Sequence, residues 1–264
     1  EAGRVLTQSQ LVDEIRSLGI VAGDTVLVHS SMSRIGYLEH GPDTFIDAFL
    51  EVLGPKGNLL MPSSPNPELQ ANYIRKNKVF DVRETPSMMG KITEVFRKRP
   101  NVMRSVHPTE PVCAFGPDAG WLTEGHLGEE TPYTARSPFC RLYEKQGKIL
   151  YIGVTLINAG TNLHTLEDAV DFPYPVYLDE VFDVTVIDME GNEHSVKTRV
   201  HNPEFSAKRK CDELIPMFIK QGVMKKGKLG KADVLIVNGP GFFQAMKEGF
   251  EKGITMYTPK GEKL

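Results

Sequence analysis

The feature that most constrains the fold of this 264-residue chain is a pair of short apolar runs separated by an amphipathic helix pattern. The first run, DTVLVHSS, is rich in β-branched residues and leads into a polar turn at His29 to Ser31. GPDTFIDAFLEVLG follows, with Pro42 in its first turn and Gly54 at its end, and the second run is GNLLMPSS. Such runs are typical of buried strands, and strand, helix, strand in this order predicts a parallel crossover. The sequence therefore predicts an α/β protein.

The remaining segments predict further strands and helices of the same layered fold. Thr7 and Gln10 have the spacing of a capping box at the start of a helix. Residues 112–115 and 148–154 are predicted strands, VFDVTVIDMEGNEHSVKT is a predicted hairpin, and ADVLIVNGPGFFQAMKEGF predicts strand, turn and helix. We expect an α/β fold, a layered αβα sandwich with a central mixed β-sheet plus a small late β-hairpin unit.

We expect residues 1–264 to form a single α/β domain with two special regions. Residues 62–86 are rich in Ser, Pro, Asn and charge and have little periodicity. A stretch of that length predicts a binding loop. Residues 176–210 form the subregion that contains the predicted hairpin.

Charge and composition argue against several classes of protein. A net charge of -3 and a pI near 6.2 give no basic footprint for nucleic acid. No apolar stretch approaches the roughly 20 residues that span a bilayer, and the first residues lack a secretion-signal pattern. We therefore expect a cytoplasmic protein with no nucleic-acid or membrane partner. Three scattered cysteines, Cys113, Cys140 and Cys211, predict reduced thiols and neither disulfides nor a zinc site.

A histidine and a glutamate three residues apart, in AGTNLHTLEDAV, follow the predicted strand KILYIGV. If a helix begins near Thr161, His164 and Glu167 lie one turn apart, about 5–6 Å between Cβ atoms. Ligands of open α/β sheets bind beyond the carboxyl ends of strands, where this helix starts. A carboxylate beside an imidazole fixes its tautomer and makes it a better base near neutral pH.

Two other interpretations of this pair stay open on the sequence. An exposed ion pair of this spacing stabilises a helix by only a few tenths of a kcal/mol and needs no function. A metal site would require three or four ligands, of which HTLE supplies two at most. We therefore expect no metal.

Two polar turns are candidate anion contacts. VHSSMSRIG places small hydroxyl residues at a strand end, where backbone N–H groups can bind a phosphate or a carbonyl oxygen. It lacks the glycines of a dinucleotide fingerprint and the lysine of a P-loop. RSVHP offers Arg104 and Ser105 for an anion, with a plain surface turn as the alternative.

Taken in order, these stretches resemble the aminoglycoside 3-N-acetyltransferase family, which uses acetyl-CoA. The resemblance runs from LVHSSMSRIGYLEHGPDTFIDAFLEVLGPKGNLLMPS through RSVHPTEPVCAFGPDA and SPFCRLYEKQGKILYIGV to TNLHTLED. It implies a transferase linked to antibiotic resistance, with coenzyme A and an aminoglycoside as small-molecule partners. It leaves open whether the chain forms a homodimer.

The resemblance also implies roles for individual residues. His164 is similar to the catalytic base and Glu167 to its carboxylate partner. The implied contacts to coenzyme A are Ser30, Ser31, Met32, Arg104, Ser105 and Thr155. Two departures concern the acceptor side: Glu110-Pro111 replaces a segment that often holds a serine, and TRVHNPEF stands where relatives often have an acidic residue. The candidate acceptor contacts are Asp168, Asp171, His201 and Glu204, and the resemblance makes residues 62–86 the acceptor-side loop.

The expected reaction is transfer of acetyl from acetyl-CoA to the 3-amino group of an aminoglycoside, in a ternary complex with His164 as general base. Backbone N–H groups near Ser31 and Met32 are the expected oxyanion donors. One alternative keeps the chemistry and acetylates a different amino sugar or a biosynthetic amine. The other is a catalytically silent protein that binds coenzyme A.

Overall fold

The computed structural model describes residues 5–262 of the chain, which form strands and helices in alternation. The strands are β1 (Val5–Leu6), β2 (Thr25–Ser30), β3 (Tyr37–Leu38), β4 (Asn58–Pro62), β5 (Val79–Asp81), β6 (Met103–Arg104), β7 (Val112–Phe115), β8 (Lys148–Ile152), β9 (Phe182–Ile187), β10 (Glu193–Thr198), β11 (Met224–Leu229) and β12 (Ala232–Asn238). The helices are α1 (Gln8–Ser17), α2 (Met32–Ile35), α3 (Pro42–Leu53), α4 (Gln70–Lys76), α5 (Lys91–Arg97), α6 (Ala119–Glu124), α7 (Pro138–Glu144), α8 (Leu156–Ala159), α9 (Thr165–Ala169), α10 (Pro203–Ser206), α11 (Ile215–Lys220) and α12 (Gly239–Glu251). Thr161–His164 and Cys211–Leu214 form 3₁₀ turns.

A seven-stranded sheet is the centre of the fold, with the order β11-β12-β8-β2-β4-β7-β6. β2 runs parallel to β8 and to β4, while the other neighbours pair antiparallel. The sheet is therefore mixed, as the sequence predicts. The short apolar runs are its central strands because both of their faces are buried.

Helices cover both faces of this sheet. Along β2, Leu27 packs into one core, while Val26 and Val28 pack into the other. Helices α6, α7, α9 and α12 contribute to the core of Leu27, and α1, α3 and α5 contribute to the second core. The predicted αβα sandwich is thus confirmed.

Local sequence signals set several element boundaries. Thr7 and Gln10 form the predicted capping box, because the Thr7 side chain accepts from Gln10 N–H and the Gln10 side chain accepts from Thr7 N–H. Helix α3 begins at Pro42 and ends before Gly54, as predicted. The longest helix of residues 5–262 is α12, with 13 residues, and no helix in this range is long and apolar enough to cross a membrane.

Segments that follow or precede the central strands meet at one edge of the sheet. Since β2, β8 and β4 are parallel, the chain leaves all three at the same edge. Strand β7 is antiparallel to β4 and pairs Val112 with Pro62, so the residues before Val112 also lie there. This edge brings together segments 63–66, 107–111 and 153–164.

The 62–86 region departs from the prediction of a long loop, because it contains α4 and β5. Strand β5 pairs parallel with β9 and extends the predicted hairpin β9–β10 into a three-stranded sheet. Phe80 is buried in a small core with Val184 and Val186. The prediction was wrong here because three residues carry too short a pattern, and distant strands supply their partners.

Arg104, in β6 of the main sheet, forms hydrogen bonds with the 62–86 region. Its Nε donates to Ser63 Oγ at 2.8 Å, its Nη2 donates to the Ser63 carbonyl at 2.6 Å, and its Nη1 donates to the carbonyls of Val82 and Thr85. The guanidinium also lies over the Phe80 ring. A buried cation thus supplies the donors that three backbone carbonyls would otherwise lack.

We predict that Arg104→Met lowers the free energy of unfolding by about 2–4 kcal/mol, because it leaves buried carbonyls without donors. Urea unfolding measures the change. The matched control is Arg75→Met, which removes a half-exposed ion pair with Glu180 and should cost no more than about 1 kcal/mol. An equal loss in both variants would contradict the proposed importance of the buried contacts.

Candidate active site

His164 and Glu167 stand directly after the edge at which β8 ends. The chain turns at Gly153, whose φ of +68° favours glycine and where a Cβ would lie 2.6 Å from Arg34 Cβ. The predicted helix start at Thr161 is a 3₁₀ turn that continues as α9 from Thr165. Leu163 and Leu166 are buried in the core, which fixes the orientation of the turn. His164 and Glu167 therefore occupy a rigid position beyond the strand.

Glu167 is the centre of a buried hydrogen-bond network. Its Oε2 lies 2.9 Å from His164 Nδ1 and 3.2 Å from His201 Nε2, and its Oε1 accepts from Tyr257 Oη at 2.6 Å. The Glu167 side chain has no exposed surface. We call His164, Glu167, His201 and Tyr257 the His164 cluster. The sequence predicted the first pair, and the fold adds the other two residues from distant segments.

Aromatic rings hold both histidines of the cluster in place. The His201 ring stacks on Tyr177, with centroids 4.8 Å apart and planes 9° apart. Tyr133 lies 4.9 Å from the His164 ring and 5.6 Å from the His201 ring. The two imidazoles are themselves 4.1 Å apart. Neither ring is free to rotate away from Glu167.

The charges of the cluster follow from burial and from the shared carboxylate. Burial lowers the pKa of His164, and the charge of Glu167 offsets part of this effect. Burial lowers the pKa of His201 as well. Burial would raise the pKa of Glu167, but the two histidines hold that pKa below its ordinary value. At neutral pH, Glu167 is thus ionised and both imidazoles are neutral.

An ionised Glu167 determines the tautomer of His164. A carboxylate only accepts hydrogen bonds, so His164 Nδ1 carries the proton and Nε2 keeps a lone pair. His164 lines a cavity, which gives that lone pair access to a ligand. This is the arrangement of a general base.

The cavity beside His164 has a volume of about 280 Å³ and is built from the segments that meet at the sheet edge. Residues from 64–70 and residues from 156–161 line it. Further along its wall lie His201, Arg209 and Glu110. Neither Arg209 nor Glu110 forms an ion pair with any residue in the range 5–262. The cavity therefore has an unpaired cation and an unpaired acid in its wall.

His164, Glu167 and His201 are also a possible set of metal ligands, since one donor atom from each lies within 4.8 Å of the others. Zinc sites use three or four ligands at about 2.0–2.3 Å. Here Oε2 is at hydrogen-bond distance from both nitrogens, and the other oxygen accepts from Tyr257. Hydrogen bonds thus account for every contact of Glu167 without a metal, and the absence of a metal stays a prediction.

The predicted contacts on the HSSMS turn lie apart from this cavity. Met32 lines a separate cavity with Gly36, Tyr37 and Lys231. Ser30 belongs to the end of β2, and the Ser31 N–H donates to the Ile152 carbonyl at 2.9 Å. That N–H is used by the sheet, which removes it as an oxyanion donor in this conformation.

Two further predicted contacts to coenzyme A are buried in structural hydrogen bonds. Arg104 holds the 62–86 region, as described above. Ser105 Oγ lies 2.7 Å from His126 Nδ1 and accepts from Val112 N–H at 2.9 Å. Neither residue lines the cavity. Thr155 stands at the edge of the cavity segment, where its hydroxyl donates to Asp212 at 2.8 Å.

Of the four predicted acceptor contacts, one lines the cavity and three do not. His201 lies in the cavity wall as a member of the His164 cluster. Asp168 accepts from Tyr177 at 2.7 Å and from Thr131, which leaves it in a structural role next to the cluster. Asp171 is exposed, and Glu204 is exposed in an ion pair with Lys208. The last two do not line the cavity.

Sequence reasoning missed four residues that the fold brings to the site. Tyr257 and Arg209 come from the last quarter of the chain, and Tyr133 comes from an irregular segment. None stands in a recognisable pattern with His164. Glu110 was visible only as a departure beside a proline, and nothing in the sequence indicated that it would face the same cavity.

Comparisons with known proteins identify the family of this chain. The model of the aminoglycoside 3-N-acetyltransferase family matches residues 27–251. Aminoglycoside N(3)-acetyltransferase VII of Streptomyces paromomycinus is 32% identical over 187 residues, which are 66% of this chain and 64% of that relative. Aminoglycoside N(3)-acetyltransferase III of Pseudomonas aeruginosa is 28% identical over 254 residues, which are 87% of this chain and 88% of that relative.

Solved structures share the fold over nearly the whole chain. AAC-VIa bound to sisomicin superposes with a TM-score of 0.78 at 27% identity and covers 94% of this chain and 98% of its own. AAC-IIIb in a binary complex with CoASH has a TM-score of 0.76 at 23% identity, with the same coverage. The latter likeness concerns the fold.

The family match covers most of the chain, and it includes the strands that form the sheet edge and the His164 cluster up to His201. This chain spans just under two thirds of the length of the curated relative from Streptomyces paromomycinus. The resemblance seen in the sequence is confirmed: the chain belongs to the aminoglycoside 3-N-acetyltransferase family.

Proposed function

We propose that this protein transfers the acetyl group of acetyl-CoA to the 3-amino group of an aminoglycoside. The observation that carries the proposal is His164 in the wall of the cavity, with Nδ1 held by a buried Glu167 and Nε2 free. Membership of the family supports it, as do relatives described as bound to sisomicin and to CoASH. Use of acetyl-CoA also makes the cytoplasm the expected location.

His164 supplies the base that the reaction needs. A protonated amine has no lone pair for attack, so it must lose a proton before or during attack on the thioester carbonyl. That proton passes to solvent, and His164 Nε2 accepts the second proton, which the attacking nitrogen must lose to become an amide. The new N–C bond forms as the C–S bond breaks, and the proton then passes from the imidazolium to the departing coenzyme A thiolate. No covalent bond to the protein is required.

Glu167 and Tyr257 prepare His164 for this role. The negative charge of Glu167 raises the pKa of His164 against the effect of burial, which improves its strength as a base. Tyr257 donates to the oxygen of Glu167 that the histidines do not use. As His164 gains a proton, the carboxylate stabilises the imidazolium at 2.9 Å.

Arg209 is the cation of the cavity wall. It lies close enough to the cluster to disfavour a positive charge on His164. Burial is the larger cause of the lowered pKa of His164, and Arg209 adds to it, while Glu167 opposes both. We propose that its positive charge stabilises the thioester oxygen as negative charge develops there. The Ser31 N–H is bonded to Ile152 and Met32 lines a separate cavity, so the proposal does not use the backbone donors predicted near Ser31 and Met32.

Replacing His164 with alanine should lower kcat by about 10²–10⁴-fold, because the proton acceptor is lost. Release of coenzyme A thiol from acetyl-CoA measures turnover on a panel of 2-deoxystreptamine aminoglycosides, and calorimetry should find the affinity for coenzyme A within twofold of wild type. His194→Ala is the control, since His194 pairs with Asp188 at the surface. Normal turnover of His164→Ala would overturn the role of His164.

The pH dependence tests the link between Glu167 and His164. In the wild type, kcat/KM should rise with pH through an apparent pKa below 6.5, because only neutral His164 accepts a proton. Glu167→Gln removes the charge that raises this pKa, so the rise should move to still lower pH while kcat/KM falls about 10- to 100-fold. Tyr257→Phe should give a smaller loss of kcat/KM, because one oxygen of Glu167 loses its donor. In Glu167→Gln, a rise that moves to higher pH would contradict the arrangement.

Removal of metal should leave turnover unchanged. The reaction proposed here uses only side chains as base and charge stabiliser, so dialysis against EDTA should change kcat by less than twofold. Zinc added back should inhibit, because it would compete with protons for the histidine nitrogens. Loss of turnover on chelation, with recovery on adding zinc, would establish the metal interpretation of His164, Glu167 and His201 instead.

A further inference from the structure

Glu110 is a partly buried acid in the cavity wall that the reaction itself does not use. It stands just before β7, at the sheet edge described above. Gln70 Nε2 donates to its Oε1 at 2.8 Å, and Asn66 Nδ2 donates to the same oxygen at 3.3 Å. Two neutral amides thus hold the carboxyl group, and no cation of residues 5–262 pairs with it.

The orientation of both amides is fixed by their other hydrogen bonds. Gln70 Oε1 accepts from the His201 backbone N–H at 3.2 Å, which turns Nε2 toward Glu110. Asn66 Nδ2 donates to the Thr109 carbonyl at 2.8 Å, so a flipped amide would set two oxygens against each other. Glu110 is thereby held in place and linked through Gln70 to the segment of His201.

This wall of the cavity contains a buried acceptor without a donor. Asn66 is 93% buried, and its Oδ1 has no hydrogen-bond partner within residues 5–262. Burial raises the pKa of Glu110 to about 7, with Gln70, Asn66 and the more distant Arg209 opposing the rise. A carboxyl group in this state gains from any cation that enters beside it.

We propose that Glu110 binds a second protonated amine of the acceptor, one that is not acetylated, and so selects polycationic acceptors. The inference rests on the proposed acetyl transfer and adds a contact for specificity. Arg209 and Glu110 both line the cavity without pairing to each other. An ammonium group is attracted to Glu110 and repelled by Arg209, so the cationic acceptor is oriented with its additional amine toward the 64–70 side.

The test is the Glu110→Gln variant, whose side-chain oxygen can still accept from Gln70 and Asn66. We expect KM for aminoglycosides to rise 10- to 100-fold while kcat stays within about threefold, because the lost contact is made equally before and during the reaction. The affinity for coenzyme A should stay within twofold. Glu180→Gln is the matched control, because it removes a carboxylate from a surface ion pair.

A second measurement isolates the charge. The acceptors form a series in which each compound carries a hydroxyl in place of one amine. We expect one of these compounds to have the same KM with the wild type and with Glu110→Gln. Calorimetry in two buffers of different ionisation enthalpy should show proton release on acceptor binding near pH 7 that Glu110→Gln abolishes. The other ionisable groups around the cavity, Glu68, Tyr133, His164, His201, Arg209 and Cys211, remain in the variant.

The outcomes separate this inference from the proposed function. If the wild type turns over aminoglycosides and Glu110→Gln keeps the same KM, the inference is overturned and acetyl transfer stands. A fall in kcat at constant KM also overturns it, because Glu110 would then act on the reaction. If the wild type binds aminoglycosides without turnover and Glu110→Gln weakens binding, the contact stands and acetyl transfer fails. No binding by the wild type overturns both.

Discussion

The shared carboxylate of Glu167 is the interaction on which the site depends. An ionised carboxyl group without exposed surface is costly unless hydrogen-bond donors surround it. Here His164 comes from the same turn, His201 follows the late hairpin, and Tyr257 comes from the chain end. Three segments must therefore be in place before Glu167 can be buried as an anion. The same contacts fix His164 Nδ1 as the protonated nitrogen, so burial and base strength have one physical origin.

The sheet explains why this network lies beside a cavity. Three parallel strands deliver their following segments to one edge, and the antiparallel β7 begins at that edge. A hydrophobic core on each face makes the strands rigid, while the segments beyond them carry polar groups. Residues 63–66 and 153–164 are far apart in the chain, yet both segments reach the same cavity because β4 and β8 flank β2 and end at the same edge. Arg104 of β6 adds a second constraint, because it binds both Ser63, next to the cavity wall, and the carbonyls of Val82 and Thr85.

The cavity wall carries a positive side chain, Arg209, and an acidic one, Glu110. Arg209 and Glu110 occupy its wall with no ion pair to each other, and His164 and His201 are held neutral by burial. In the reaction proposed above, Arg209 favours the developing negative charge of the thioester oxygen, and Glu110 favours a cationic acceptor. The 62–86 region, which the sequence assigned to the acceptor, supplies Asn66 and Gln70 to that side.

Local patterns by themselves determined much of this protein. Apolar runs with β-branched residues specified the central strands, Thr7 and Pro42 specified helix starts, and the spacing of His164 and Glu167 specified a pair on one turn. These features depend on residues close together in the chain, so the sequence carries them directly. Only the tertiary structure brought His201, Tyr257, Arg209 and Glu110 to that pair, paired β5 with β9, and left Arg104 and Ser105 in structural hydrogen bonds. Those outcomes depend on strand register and on which buried groups need hydrogen-bond donors, and no single stretch of sequence determines either one.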